Sequence, residues 1–234
     1  MLPHMPMGTQ MTMHYGSIAR ESGAGTRTPA AAAGLYRTHG KRVLDVVLVV
    51  LSAPVAVPLI AILALVNFAL GHPPFYSQPR VGKDGRIFRI WKLRTMVVNA
   101  ERVLEDILTN DPVRADEWRH HQKLRNDPRI TPFGRFLRRT SLDELPQLWN
   151  VLRGDMSLVG PRPMMPDQRA LYDGDAYYRL RPGVTGLWQV YFRNDDGFAR
   201  RVSCDAQYDR AVTLTGDLAL IFATAGVLMR PTGH

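Results

Sequence analysis

Residues 41–74, "KRVLDVVLVVLSAPVAVPLIAILALVNFALGHPP", contain the longest apolar run of the chain. No charged residue occurs from Val46 to Leu70. A straight helix over this run would be about 37 Å long, and the hydrocarbon core of a bilayer is roughly 30 Å thick. A buried core helix does not need so long and so uniformly apolar a run. The run therefore predicts insertion into a membrane.

The middle and the flanks of this run bear on its topology. Pro54 and Pro58 each lack a backbone donor and clash with the preceding turn, which predicts a break there, and Ser52 could bond a carbonyl that the break frees. Positive charge marks the cytoplasmic side of a membrane segment. It flanks both ends of this run, at Lys41, Arg42, Arg80, Lys83, Arg86, Arg89 and Lys92. We expect a re-entrant helix-break-helix that enters and leaves through one leaflet, with a kinked spanning helix as the alternative.

The composition limits the partners. The chain has 234 residues and a formal net charge of +9, which predicts an anionic partner: nucleic acid, an anionic membrane surface or a phosphorylated substrate. Its single cysteine, Cys204, excludes an intrachain disulfide. The sequence has no zinc-ligand spacing, no phosphate-binding glycine loop and no nucleophile elbow.

The rest of the chain predicts an α+β fold that is predominantly helical. Residues 1–40 are expected to be a flexible lead without a secretory signal, 41–72 the membrane element, and 73–234 a compact cytosolic domain. Residues 81–93 predict a small β-hairpin, and 97–108 and 114–125 predict helices. Residues 214–229 predict a core or interfacial helix that is too short to span.

A basic helix is expected at "RITPFGRFLRR", residues 129–139. Arginines alternate there with phenylalanine and leucine, a pattern that suits a membrane surface with guanidinium groups at the lipid headgroups. A partly buried basic helix of a soluble protein is the alternative. The preceding membrane run favours the interface.

The segment "RRTSLDELPQLWNVLRGDMSLVGPRP", residues 138–163, allows two interpretations. Ser141 and Glu144 match a capping box, and acidic residues suit a first helical turn. Pro146, however, should leave the carbonyl of Leu142 without its helical partner. The adjacent arginines should keep the acids Asp143 and Glu144 ionised, with lowered proton affinity. An ionised aspartate can attack phosphorus or hold a divalent cation, so these features favour phosphate chemistry over capping alone.

Four stretches carry a resemblance to a known family: "KRVLDVVLVVLSAP", "FYSQPRVGKDGRIFRIWKLRTM", "RITPFGRFLRRTSLDELPQLWNVLRGDMSLVGPRP" and "RPGVTGLWQV…RN". In this order they resemble the bacterial sugar transferases, which are monotopic polyprenyl-phosphate phosphoglycosyltransferases. The resemblance runs from about Lys41 to the C-terminus. It implies an enzyme on the cytoplasmic face of the bacterial inner membrane, with Pro54 at the break of a re-entrant membrane helix.

The resemblance also implies a two-step reaction. Asp143 attacks the β-phosphate of a UDP-sugar, releases UMP and carries the phosphosugar until undecaprenyl phosphate accepts it. Glu144 completes the acid pair, and Mg²⁺ is expected against Asp143. The positions expected to grip phosphates or the donor are Lys92, Arg94, Arg138, Arg139, Arg162, Arg181, Arg193, Asn194 and Asp205. For each of them, an ordinary surface or structural role is the alternative.

One position departs from the family pattern. Phe192 stands where the family usually has glycine, and phenylalanine does not take glycine's conformations at low cost, which puts the loop shape in doubt. This departure keeps a membrane-anchored, non-catalytic scaffold open as an alternative function. Nucleic-acid binding is disfavoured because the charge flanks an apolar run and no recognition motif is present. The sugar is not readable from the sequence, and helix 114–125 could serve a homodimer.

Overall fold

The computed structural model describes residues 34–121, 124–192 and 197–228. The helices are α1 (Lys41–Ala69), α2 (Ala100–Asn110), α3 (Pro112–His121), α4 (Pro132–Thr140), α5 (Gln147–Arg153), α6 (Ala176–Arg179), α7 (Leu187–Tyr191), α8 (Phe198–Arg210) and α9 (Leu214–Leu228). The strands are β1 (Phe75–Val81), β2 (Ile87–Leu93), β3 (Ser157–Val159) and β4 (Gly183–Thr185). This is the predicted helical fold with little sheet.

Helix α1 is one continuous helix, and the predicted interruption is not observed. It runs through Pro54 and Pro58, and a proline inside a helix can kink it without ending it. Ser52 donates its hydroxyl to the carbonyl of Val49 at 2.9 Å. Among the described residues, one helix, Tyr36–Ala69, is long and apolar enough to cross a membrane. Its first turn, Tyr36–Gly40, lies within the lead expected at residues 1–40; residues 1–33 lie outside the described chain.

One face of α1 packs against the remainder of the protein along the whole helix. The buried residues follow intervals of four and seven, which is a single helical stripe: Asp45, Val49, Ala56, Leu63 and Asn67. From the first to the last of them the helix axis advances about 33 Å. The other faces expose large apolar side chains, including Val43, Leu51, Val55, Val57, Ile62, Leu65 and Phe68.

Polar side chains fix both ends of this stripe. At one end, Asp45 Oδ1 accepts from the backbone N–H of Leu158 at 2.9 Å and from Ser157 Oγ at 3.1 Å. At the other end, Asn67 Nδ2 donates to the carbonyl of Arg94 at 3.0 Å. Asp45 Oδ1 and Asn67 Nδ2 are therefore matched by partners in the domain, whereas Asp45 Oδ2 and Asn67 Oδ1 are buried without a hydrogen-bond partner. The contacts hold both ends of α1 against the same domain.

Strands β1 and β2 form the predicted hairpin. They pair antiparallel from Phe75 opposite Leu93 to Val81 opposite Ile87. The turn between them places Asp84 and Gly85 at positive φ, 56° and 74°, which glycine and aspartate tolerate best. The hairpin lies against α1 through Leu93, which packs with Leu63 in an apolar cluster.

The helices after the hairpin differ from expectation mainly at their ends. Helix α2 begins at Ala100 rather than at residue 97, and α3 begins at Pro112, a residue that is well suited to a first helical turn. Helix α4 approaches β2 closely at Gly134, where a Cβ atom would lie 2.1 Å from the carbonyl oxygen of Thr95. Only glycine allows this approach.

A second, parallel strand pair lies beyond the acidic segment and has no signal in the hydrophobic pattern. Strand β3 pairs with β4 through Ser157 opposite Gly183 and Val159 opposite Thr185. A Cβ atom on Gly183 would lie 2.1 Å from the backbone nitrogen of Gly160. A side chain at Gly183 would therefore prevent the two segments from approaching so closely. Around them, residues of α7, α8 and α9 form the largest apolar cluster.

Candidate active site

The acid pair lies in a single 3-10 turn, Leu142–Glu144, between α4 and α5. Ser141 ends α4 in the left-handed conformation, with φ 55° and ψ 17°, and its side chain makes no cap hydrogen bond. The capping-box interpretation is therefore wrong. The carbonyl of Leu142 accepts from the backbone N–H of Leu145 at 3.3 Å, so the expected vacant acceptor is also absent. The tighter turn satisfies that carbonyl before Pro146.

Lys92 holds the two acids together. Its ammonium donates to Glu144 Oε1 at 2.5 Å and lies 3.6 Å from Asp143 Oδ2. Asp143 is buried, with 7% of its surface exposed, whereas Glu144 is partly exposed. Lys92 belongs to β2, so the hairpin delivers the cation to the turn between α4 and α5. The contact between Lys92 and the acid pair was not predicted, and the phosphate-binding role expected for Lys92 stays a prediction.

The two carboxyl groups differ in proton affinity, and the prediction that both are lowered is wrong for one of them. Burial raises the pKa of Asp143, and the charge of Glu144 raises it further, while Lys92 and Arg138 oppose both effects. Burial also acts on Glu144, but the attraction of Lys92 and Arg162 outweighs it and lowers the pKa of that carboxyl. The pair therefore favours a charged Glu144 beside an Asp143 whose charge is more costly.

Of the two neighbouring arginines, Arg138 acts on Asp143. It donates its Nε to Thr95 Oγ1 at 2.9 Å, and its charge lowers the pKa of Asp143. Both Arg138 and Arg139 are exposed near the end of α4. The role expected for Arg139 stays a prediction.

A second polar cluster surrounds Trp188. The guanidinium groups of Arg162 and Arg201 lie over its ring, 5.6 and 5.5 Å from the centroid. Burial lowers the pKa of Arg201, and the charge of Arg162 lowers it further. Burial also lowers the pKa of Arg80, and the charge of Arg162 lowers it further. We call Arg80, Arg162 and Arg201 the arginine cluster. Burial makes the charges of Arg80 and Arg201 costly, and the charge of the exposed Arg162 acts on both, so the cluster favours a bound anion.

Asp205 belongs to this second cluster. It is buried and accepts a hydrogen bond from the hydroxyl of Tyr172 at 3.0 Å. Burial raises the pKa of Asp205 to about 7, against the weaker lowering influence of Tyr172 and Arg201. Arg162 joins the two clusters, because its charge acts on both Glu144 and Arg201.

Two of the arginines expected to bind phosphate, Arg94 and Arg181, donate to backbone carbonyls, and the phosphate-binding role of each stays a prediction. Arg94 donates to the carbonyls of Pro73 at 3.2 Å and Phe75 at 3.4 Å, at the connection after α1. Arg181 donates to the carbonyl of Gly154 at 2.9 Å, at the end of α5. Both contacts are those of structural arginines. Arg193 and Asn194 lie outside the described residues.

Phe192 needs no glycine-like backbone. Its φ of −133° and ψ of 18° are accessible to any L-residue. Its ring packs against the largest apolar cluster, and Arg200 lies 4.9 Å from its centroid. The doubt about loop shape at this position is therefore removed for the residue itself.

The acid pair offers two carboxylates as possible ligands for a divalent cation. No group of three or more metal-binding side chains occurs in the part of the chain that the structure describes. Mg²⁺ commonly uses one or two carboxylates and completes its shell with water and substrate phosphates. Asp143 and Glu144 supply that minimal set, so the residues fit Mg²⁺ as a partner of a bound phosphate.

Sequence reasoning missed Arg80, Arg201, Tyr172 and Gln147. Gln147 hydrogen-bonds to the carboxylate of Glu144, three residues earlier, a helical spacing that could have indicated the contact. Arg80 and Arg201 reach the site from β1 and α8. No local pattern marks them, because their proximity depends on how distant segments pack.

Fold and site together describe a membrane-associated α+β protein with an acid pair set among cations. The family model described as bacterial sugar transferase matches residues 36–231. The chain is 48% identical over 195 residues to an undecaprenyl-phosphate galactose phosphotransferase of Salmonella typhimurium and 47% identical over 195 residues to a UDP-galactose-lipid carrier transferase of Erwinia amylovora. It is 45% identical over 187 residues to the exopolysaccharide production protein ExoY of Sinorhizobium fredii.

These alignments cover most of this chain. They span 82% of it for the first two relatives and 79% for ExoY. The chain covers 41% of the length of each of the first two and 83% of ExoY. The chain belongs to the bacterial sugar transferase family.

Proposed function

We propose that this protein transfers a hexose 1-phosphate from a UDP-sugar to undecaprenyl phosphate, at the cytoplasmic face of the bacterial inner membrane. The observation that carries the proposal is the buried Asp143, held with Glu144 against Lys92. Two relatives support this substrate class by their names: an undecaprenyl-phosphate galactose phosphotransferase and a UDP-galactose-lipid carrier transferase.

In the first step, a carboxylate oxygen of Asp143 attacks the β-phosphorus of the donor. The bond between that phosphorus and the bridging oxygen breaks, and UMP leaves with the bridging oxygen. The sugar phosphate is now bonded to Asp143. The raised pKa of Asp143 suits this role, because a carboxylate that is poorly solvated is a stronger nucleophile than one dispersed in water.

Cations must offset the charge of the diphosphate before a carboxylate can approach it. Lys92 is already within 3.6 Å of Asp143. The arginine cluster adjoins the acid pair through Arg162 and offers donors to the leaving phosphate. Asp143 and Glu144 would hold Mg²⁺, which supplies further charge neutralisation when bound.

In the second step, a phosphate oxygen of the lipid acceptor attacks the same phosphorus. The bond to Asp143 breaks, the carboxylate is restored, and a lipid diphosphate sugar leaves. Glu144, whose pKa is lowered, remains charged and keeps Lys92 in place between the steps. A covalent intermediate lets one site serve a soluble donor and a membrane-bound acceptor in turn.

The packing of α1 supports a position on one leaflet. Asp45 and Asn67, about 33 Å apart along the helix axis, both bond to the same domain. A helix perpendicular to the bilayer would separate these residues by the full hydrocarbon thickness. The domain would then have to accompany the helix across the membrane. We infer that α1 lies in one leaflet, with both of its ends at the same face of the membrane.

Two experiments test the proposal. Purified protein is incubated with each common UDP-hexose, with and without undecaprenyl phosphate, and UMP release and phosphosugar adducts are measured by mass spectrometry. We expect stoichiometric adduct without acceptor and turnover with it; absence of both with every donor would refute the proposal.

For topology, single cysteines at His39 and His72, in a Cys204→Ser background, should be labelled from the same side of sealed vesicles. Labelling from opposite sides would refute the one-leaflet arrangement.

A further inference from the structure

The structure contains an apolar cavity beside the acid pair, and we propose that it binds the isoprenoid chain of the lipid acceptor. The proposal rests on the function proposed above and adds a site for the part of the acceptor that does not react. The cavity has a volume of about 360 Å³ and lies between the middle of α1 and the segment 145–152. This volume falls within the usual range of small-molecule sites.

The lining of the cavity indicates the chemistry of its ligand. Every lining side chain is apolar: α1 contributes small residues such as Ala53 and Ala56, and the opposite wall includes Leu148 and Trp149. A polar or charged ligand would lose its hydration without a partner there. A hydrocarbon chain would gain apolar contacts on both sides.

The position of the cavity distinguishes the acceptor from other lipids. Leu145 lines it and directly follows Glu144, and consecutive Cα atoms are about 3.8 Å apart. The wall of the cavity therefore begins beside the acid pair. The acceptor must hold its phosphate at Asp143 while its chain is buried, and a cavity at this distance meets both needs. A bulk phospholipid has no such requirement.

The cavity is lined in part by exposed apolar residues, among them Val57 of α1, which is 61% exposed. Trp149 is 57% exposed and Trp91 is 36% exposed, and both also line the cavity. Tryptophan side chains favour the boundary between headgroups and hydrocarbon. An isoprenoid chain could therefore pass from the bilayer into the cavity without crossing water.

The two half-reactions separate this proposal from the function on which it rests. Ala53→Phe fills the cavity from α1, and Ala61→Phe places the same side chain on an exposed part of the same helix. We expect Ala53→Phe to form the phosphosugar adduct at the wild-type rate but to raise the KM for undecaprenyl phosphate about tenfold. Ala61→Phe should leave both unchanged.

A second measurement uses the unaltered protein, so it does not depend on the variant folding. A photoreactive undecaprenyl phosphate analogue should label the peptide that contains residues 145–152, and excess undecaprenyl phosphate should compete for the label. Equal competition by phosphatidylglycerol would overturn the proposal in favour of a general lipid site. An unchanged acceptor KM in Ala53→Phe with normal adduct formation would overturn it as well. Absence of adduct in the wild type would instead refute the proposed function.

Discussion

Glu144 of the acid pair and Asp205 both lose solvation through burial, but their hydrogen-bond partners differ in charge. Glu144 accepts a hydrogen bond from the ammonium of Lys92 at 2.5 Å, and its pKa is lowered. Asp205 accepts from the neutral hydroxyl of Tyr172 at 3.0 Å, and burial raises its pKa to about 7. A direct cation contact preserves charge where burial and a neutral donor do not. Glu144 is therefore charged at neutral pH, whereas Asp205 is close to its titration point.

The largest expected effect is the loss of the attacking group. Asp143→Asn keeps the shape of the side chain but removes its nucleophilic charge, so we expect turnover to fall by about 10⁴-fold or more. UMP release measures the effect, and the thermal unfolding midpoint checks that the variant folds. Turnover within tenfold of the wild type would remove Asp143 from the proposed role.

The next effect concerns the cation of the acid pair. Lys92→Met removes the ammonium from both acids, so we expect turnover to fall about 10²-fold, as when one electrostatic group of an active site is lost. Lys83→Met is the matched control, because Lys83 lies in the exposed hairpin turn. Equal activity of the two variants would contradict a role for Lys92 in the reaction.

Asp205 allows a test of pH dependence. Its folded pKa of about 7 lies above the ordinary value of 3.8, so the folded state binds the proton more tightly than the unfolded state. The resulting stability is complete below about pH 4 and is lost as the pH rises through about 7, by about 4 kcal/mol. Denaturant unfolding of the wild type should reveal this loss.

The isosteric variant provides the control for that measurement. Asp205→Asn stays neutral and can still accept from Tyr172, so its free energy of unfolding should not fall over the same range. Parallel pH profiles of the two proteins would contradict the raised pKa and, with it, the contrast between Glu144 and Asp205.

The smallest effect is expected at Phe192, whose ring contacts Arg200. Phe192→Gly adds backbone freedom to the unfolded chain and removes the contact with Arg200, so we expect a loss of about 1 kcal/mol in unfolding free energy. Because the native φ of −133° does not require glycine, turnover should stay within about twofold. A gain in both stability and turnover would mean that the family's glycine is preferred here too.

The sequence predicted elements that depend on local signals. The hairpin and the apolar α1 follow from hydrophobic pattern and turn residues, and the acid pair follows from the family resemblance. The 3-10 turn at Leu142–Glu144 did not, because Ser141 and Glu144 suit a capping box equally well in sequence. Ser141 is left-handed where α4 ends and this turn begins, a conformation that no sequence pattern marked.

The features that the sequence did not predict depend on tertiary packing. The parallel pair of β3 and β4 has three residues in each strand, too few for a periodic signal. The opposite pKa shifts of Asp143 and Glu144 depend on which side chain Lys92 reaches and on burial, neither of which has a sequence pattern. Arg94 and Arg181 show the reverse case, in which positive charge suggested phosphate binding and the contacts are to backbone carbonyls.

The buried stripe on α1 is anchored to the domain at two positions, Asp45 and Asn67. Inserting one residue between Asp45 and Asn67 would rotate everything beyond it by about 100° and advance it by about 1.5 Å. Asn67 would then leave the buried face of α1, and the carbonyl of Arg94 would lose its donor. The length of this segment is therefore constrained as tightly as its composition, although many of its side chains are exposed.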